Sequence, residues 1–259
     1  MGLDIYAGTL TRYYAGNWKS VVQQMAEANG YSFSRITPNG DKIDEGDAMS
    51  PEEIRKQVED WRDWILQAIK PEDHEPYEPW QEDNEKPYYT DKPDWDAFGA
   101  LLLYTACLVY GEELPPTVSK NWDFQEHPVI KRICSDEDKH WSLFADAIWW
   151  LPLDESFYFT APRPTNDTAV IATVGGLKKE LDRINELGWN ADEDDILSWT
   201  ETEGYPVDAE ISETGGYSQV AESVHTQYST ESLAKFAFSI MWRAVKFSME
   251  TRVPILMDF

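Results

Sequence analysis

The chain has 259 residues and sets 48 aspartates and glutamates against 22 lysines and arginines, for a formal charge of -26. A field of that sign repels phosphate backbones and anionic lipid, which argues against direct nucleic-acid or membrane-surface binding and favours a basic protein as partner. Aromatic residues at 14% and hydrophobic residues at 42% exclude a disordered polymer and predict one compact domain over residues 1–259.

The first predicted element is a short strand in GLDIYAG, where Leu3 and Ile5 alternate with Asp4 and Tyr6 between glycines. A helix follows from Lys19 to Ala28, with Val21, Val22 and Met25 as its buried stripe and Asn29-Gly30 as its stop. The stretch ITPNGDKIDEGDAM reads as a loop or hairpin tip. Ser50, Pro51 and Glu53 then form a capping box with proline at the first helical position, opening an amphipathic helix that ends near Lys70. Its apolar side is Ile54, Val58, Trp61, Ile65 and Ile69.

Residues 71–93 carry five prolines among repeated carboxylates and read as a long acidic arm. The arm's Tyr77, Trp80, Tyr88 and Tyr89 are expected to pack against the domain itself. DWDAFGALLLYTACLVYG is apolar almost all round and predicts a central helix, with Cys107 as a core residue and Gly111 beyond its end. A further helix is predicted from Ser135, with Asp138 three residues later, through Trp141, Phe144, Ala145 and Ile148 to Trp150. SFYFTAP and AVIATV are strand candidates. GGLKKELDRINELG is a helix with Leu177, Leu181, Ile184 and Leu187 as its stripe. A long helix over about Glu231 to Thr251 and an extended, tucked-in VPILMDF close the chain. Many helices and a few short strands, without a regular strand-helix period, predict a helix-rich α+β fold.

Chemical signatures are sparse. No nucleophile elbow, phosphate loop, dinucleotide fingerprint or helical zinc motif is present in the sequence, and no cofactor or metal is expected. His74, His127, His140 and His225 lack metal-ligand spacing. Cys134 precedes an acidic SDED turn that is expected to raise its pKa and blunt its reactivity. Gly175 and Gly176 open a helix whose backbone amides are weak candidates for a phosphate. Asp4 and Arg12 are expected to pair as a structural bridge, with Tyr6, Tyr13 and Tyr14 around them. The amino terminus has no basic region before a long apolar core, so neither an export signal nor a membrane anchor is expected there, and the cytoplasm is the expected location.

The densest signal is NADEDDILSWTETEGYPVDAEISETGG, with nine carboxylates and no lysine or arginine. Within the acidic aromatic segment 189–217, Asp192 to Asp195 offer oxygens for a hard cation but lack the spaced pattern of a calcium loop. A helix starting near Asp194 gives such charges a simpler role at its amino end. Trp189, Trp199 and Tyr205, interleaved with Asp192, Asp194, Asp195, Glu201, Glu203, Asp208 and Glu210, form the candidate partner-binding surface: aromatics as anchors, carboxylates as partners for lysine or arginine.

The two ends, MGLDIYAGTLTRYY and FAFSIMWRAVKFSMETRVPILMDF, resemble a family of uncharacterised bacterial cytoplasmic proteins that open on a MGLDIY-like strand and close on an aromatic-rich helix with a P-[I/M]-L-[L/M]-D-[F/Y] tail. The resemblance implies a bacterial origin and carries no functional residue across. The leading expectation is a non-enzymatic acidic protein that neutralises a basic partner, such as a toxin immunity protein or an inhibitor of a nucleic-acid-directed enzyme. A hydrolase or ligand-processing enzyme with dispersed carboxylates and a structural or adaptor subunit are the alternatives.

Overall fold

The computed structural model describes residues 2–31, 49–72, 75–206 and 225–259. It is α+β as expected, 48% helical and 15% strand. Helices α1 (Leu10–Tyr14), α2 (Val21–Ala28) and α3 (Pro51–Ala68) follow strand β1 (Asp4–Ala7). Strand β2 (Tyr89–Asp91), helix α4 (Trp95–Tyr110), strand β3 (Thr117–Ser119) and helix α5 (Pro128–Cys134) come next. Then come β4 (Ala147–Leu151), β5 (Tyr158–Pro162), β6 (Thr168–Thr173), α6 (Val174–Leu187), α7 (Glu193–Thr202), β7 (Gln227–Ser229), α8 (Thr230–Thr251) and β8 (Ile255–Asp258). Six strands form one sheet in the order β2-β1-β8-β4-β6-β5, parallel only between β4 and β6, and β3 pairs with β7 in a separate ribbon.

Period-two side-chain alternation divides the apolar residues of this sheet between two cores. Ile5, Ala7, Trp150, Ala172, Ile255 and Met257 face the larger one, built with α4, α6 and α8. Tyr6, Trp149, Leu151, Ile171 and Leu256 face the smaller, covered by α3 and Trp80 of the arm. The tail expected to tuck into the fold does so as β8, hydrogen-bonded between β1 and β4. Its central place in the sheet explains the run ILM, since a strand covered on both faces needs no polar side.

Local signals place several helices as expected. Ser50 accepts from the Glu53 amide while the Glu53 carboxylate accepts from Ser50, and Pro51 holds the first turn. Ile54, Val58, Trp61 and Ile65 are buried, joined by Arg62 and Leu66. Gly111 ends α4 at φ 66, a left-handed conformation that glycine adopts without penalty. Among the described residues no helix is long and apolar enough to cross a membrane.

Three expectations are corrected. The stretch from Ser135 to Trp150 is not a helix: Ser135 is the C-cap of α5, residues 142–144 make a 3-10 turn, β4 begins at Ala147, and turns and irregular backbone lie between them. Asp146 stands at φ 55, a left-handed conformation that breaks any helix, and Trp149 and Trp150 then point to opposite cores. The apolar stripe of α2 is not buried. Val22 and Met25 are 48% and 62% exposed, and α2 contributes no residue to either core. Asp4 and Arg12 do not pair: the Arg12 guanidinium lies 5.0 Å over the Tyr88 ring and donates to the Asn17 carbonyl oxygen, while Asp4 sits opposite Asp258 across the β1-β8 ladder with Lys92 nearby. Burial chiefly, with Asp258, Asp94 and Asp91 adding to it, pushes the Asp4 carboxyl above its ordinary range. The loop expected over residues 36–49 lies almost wholly outside the described residues.

Candidate functional site: an acidic helix and an acidic cleft

Helix α7 rests on α8, and that placement decides which of its carboxylates are left over. Asp192 is its N-cap, accepting from the Asp195 amide at 2.9 Å, and Glu193, Asp194 and Asp195 fill the first turn, where the helix dipole favours negative charge. The basic residues absent from the local sequence arrive from α8. Lys246 approaches Glu193 at 2.9 Å and Lys235 lies 3.6 Å from Glu203, while the Arg243 guanidinium donates to the Leu197 carbonyl. The hydrogen bonds from Lys246, then from Trp242, hold Glu193 below the ordinary glutamate range. Among the described residues no ion pair reaches Asp192, Asp194, Asp195 or Glu201. Asp194 and Glu201 are seven residues apart and so share a face of α7, about 10 Å apart along its axis. These four exposed carboxylates are the unpaired part of the expected surface.

The aromatic residues of that candidate surface are engaged in packing. Trp199 is buried at 8% exposure, in edge contact with Trp189 and tilted against Phe238. Trp189 stacks on Tyr104 with ring centres 4.2 Å apart and donates its indole N–H to Glu231. Tyr205 packs edge-on against Tyr228 and Phe236. All three hold α7 and its flanks to the main core, because a ring next to an apolar helix stripe gains more by covering it than by facing water. Asp208 and Glu210 lie outside the described residues.

A cleft of about 340 Å³ opens beyond the carboxyl end of β4, where the loop before β5, the start of α6 and the end of α8 meet. Glu78, Asp154 and Glu155 line it, with Tyr77 and Arg252, and Arg252 bonds Glu78 at 2.9 Å. At the helix start beside it, the amides of Gly175 and Gly176, the weak phosphate candidates, are both engaged within the fold. The Gly175 amide donates to the Leu153 carbonyl and the Gly176 amide to the Thr173 hydroxyl. Glycine is required at 175 for packing, since a Cβ there would stand 2.1 Å from the Asp154 carbonyl oxygen. Among the described residues no three histidine, cysteine, aspartate or glutamate side chains gather to hold a metal. Cys134 is exposed, and burial of its sulfur first, the Asp146 charge second, raises its pKa.

Sequence reasoning missed the most perturbed carboxylate. Glu180 on α6 accepts from the Ser142 and Leu143 amides and from the Ser142 hydroxyl, capping the 3-10 turn that leads into β4. Burial pushes its pKa up to about 7 against those three donors. Its partners are 37 and 38 residues away, so no local pattern announces it. A raised folded-state value means that the folded protein holds this proton more tightly than the unfolded chain does. Its contribution is therefore fully present below about pH 4.5 and is lost as pH rises to about 7, a span worth up to roughly 3 kcal/mol. Denaturation midpoints measured from pH 4.5 to 7.5 should show this decline, and Glu180→Gln should flatten it; an unchanged profile would mean that Glu180 does not titrate there.

No protein-family model, curated protein or solved structure matches the chain.

Proposed function

We propose that the protein binds a basic protein partner through its acidic surface and neutralises it by covering a cationic site. The observation that carries this reading is the set Asp192, Asp194, Asp195 and Glu201, exposed on α7 with no ion pair among the described residues although α8 supplies cations a turn away. Natural surfaces intersperse both signs, and a helix that carries four carboxylates without a basic partner among the described residues retains a field available to an incoming lysine or arginine. Because Trp189, Trp199 and Tyr205 are committed to packing, this contact is mainly electrostatic: fast on-rates, strong salt dependence, and modest affinity unless apolar contact is added elsewhere. Such a partner belongs to the class of nucleic-acid-directed enzymes or toxins, whose phosphate-binding face is a natural match for clustered carboxylates.

The test is capture from a lysate of the source cells at low salt, followed by an activity assay on whatever is captured. The triple change Asp194→Asn, Asp195→Asn and Glu201→Gln leaves the Asp192 cap intact. It should weaken capture of a basic protein at least tenfold, as should raising the salt to 0.5 M, while costing the fold no more than about 1–2 kcal/mol. Capture of a basic protein indifferent to both changes would remove α7 from the interface, and capture of none would overturn the reading.

A further inference from the structure

We infer that β5, the open edge of the six-stranded sheet, is a docking strand that takes an extended, lysine- or arginine-bearing segment of the partner by strand addition. This rests on the basic-partner reading and says where and how that partner's chain is held.

Among the described residues the sheet ends at β5, which pairs with β6 through the antiparallel register Tyr158↔Ala172 to Pro162↔Thr168. In an antiparallel ladder successive residues turn their amide and carbonyl alternately toward and away from the neighbour. Three contacts fix the phase. The Phe157 amide meets the Thr173 hydroxyl and the Arg163 amide meets the Asp167 carbonyl, both on the β6 side, whereas the Pro162 carbonyl accepts the Trp61 indole N–H from α3. Odd-numbered residues therefore bond inward, and Tyr158 and Thr160 turn their N–H and C=O groups outward. Both residues are exposed, and among the described residues no hydrogen bond engages those main-chain groups. Trp61 closes one end of the edge and leaves a two-residue gap that an added strand can fill with four main-chain hydrogen bonds.

The side chains beside the gap say what kind of strand fits. Tyr158 is 38% exposed and borders a cavity of about 300 Å³ lined also by Trp141, Phe144, Glu137, Lys139 and Asp136, whose carboxylate already accepts from the Tyr110 hydroxyl. Side chains of an added strand alternate between the two faces of the sheet, so those on the Tyr158 face lie toward the cavity lined by Trp141, Phe144 and Glu137. A lysine or arginine suits such a lining, its aliphatic stem against the rings and its charge against Glu137. Asp154 and Glu155 on the loop entering β5 extend the same sign. A second copy of this chain, carrying -26, is disfavoured at the same edge by its own charge.

The probe is a capped seven-residue peptide alternating lysine and valine, titrated at low salt into the full-length protein. It should bind and protect the Tyr158 and Thr160 amides from hydrogen exchange. Thr160→Pro, which removes an outward N–H without touching the β6 ladder, should weaken it at least tenfold, and Glu137→Gln about threefold. N-methylation of alternate peptide amides should weaken it at least tenfold on the unmodified protein, a measurement that stands even if Thr160→Pro misfolds. Binding indifferent to Thr160→Pro and N-methylation but abolished by the α7 triple change overturns strand addition and leaves the basic-partner reading in place. No binding of the lysine peptide, or equal binding of its glutamate counterpart, overturns both. A concentration-dependent dimer lost in Thr160→Pro would assign the edge to a second copy and overturn the inference.

Discussion

Replacing Trp150 with alanine should cost about 3–5 kcal/mol of folding free energy, read as a shift of the denaturation midpoint at unchanged slope. Trp150 is fully buried in the larger core, and its indole N–H donates to the Ser142 hydroxyl at 3.0 Å, which in turn donates to Glu180. Truncation removes the ring from a close-packed site that relaxes only in part, and it also deletes a donor from a buried polar chain. Trp150→Phe separates the two effects, since most of the volume stays and only the donor is lost. It should cost about 1–2 kcal/mol. Trp149→Ala acts on the other side of the sheet, where Trp149 makes an edge contact with Trp61 at 5.7 Å. The two alanine variants should cost nearly additive amounts, because their cavities lie in different cores. Strong coupling between them would mean that β4 does not divide the interior as its alternation states.

That pair of tryptophans also marks where the sequence can be misread. WW after an apolar, helix-spaced run fits a helical stripe as well as a strand buried on both faces, and the choice turns on Asp146, whose left-handed backbone leaves no local signature. The capping box at Ser50 and the glycine stop at Gly111 are contained in four or five residues each, so they were legible. The order of strands in the sheet was not, because β1 and β8 come from opposite ends of the chain and β2 from the arm between them. The candidate surface divides along the same line. Acidity at Asp192, Asp194, Asp195 and Glu201 was legible as composition, but composition cannot show that Trp189 and Trp199 turn inward or that Lys235 and Lys246 reach back from α8. Edge strand β5 was legible as an alternating SFYFTAP. Its openness was not, since that depends on which strand lies beside it.

The second large effect should come from Glu82→Ala, at about 3–5 kcal/mol, because this carboxylate accepts three buried hydrogen bonds where the acidic arm meets the first helix. Glu82 is 1% exposed and accepts from the Leu10 and Thr11 amides at 3.2 and 2.8 Å and from the Trp80 indole at 2.7 Å. Leu10 and Thr11 open α1, and the Thr9 hydroxyl takes the third amide, from Arg12, so Thr9 and Glu82 together satisfy the start of a helix only five residues long. Alanine would leave three buried donors without an acceptor, each costing about 1–3 kcal/mol before relaxation. Glutamine keeps one acceptor but turns an amide N–H₂ toward groups that can only donate, so it should recover less than half of the loss. Burial is the main cause that raises the Glu82 pKa, against the hydrogen bonds that lower it, so in the wild type this group favours the folded state most at acid pH and progressively less as pH rises. Hydrogen exchange should report the outcome: in Glu82→Ala the Leu10 and Thr11 amides should exchange at denaturant concentrations where the β4 amides are still protected. Simultaneous loss of both signals would make the arm part of the single cooperative unit, and no loss of stability would mean that water replaces the carboxylate at the α1 terminus.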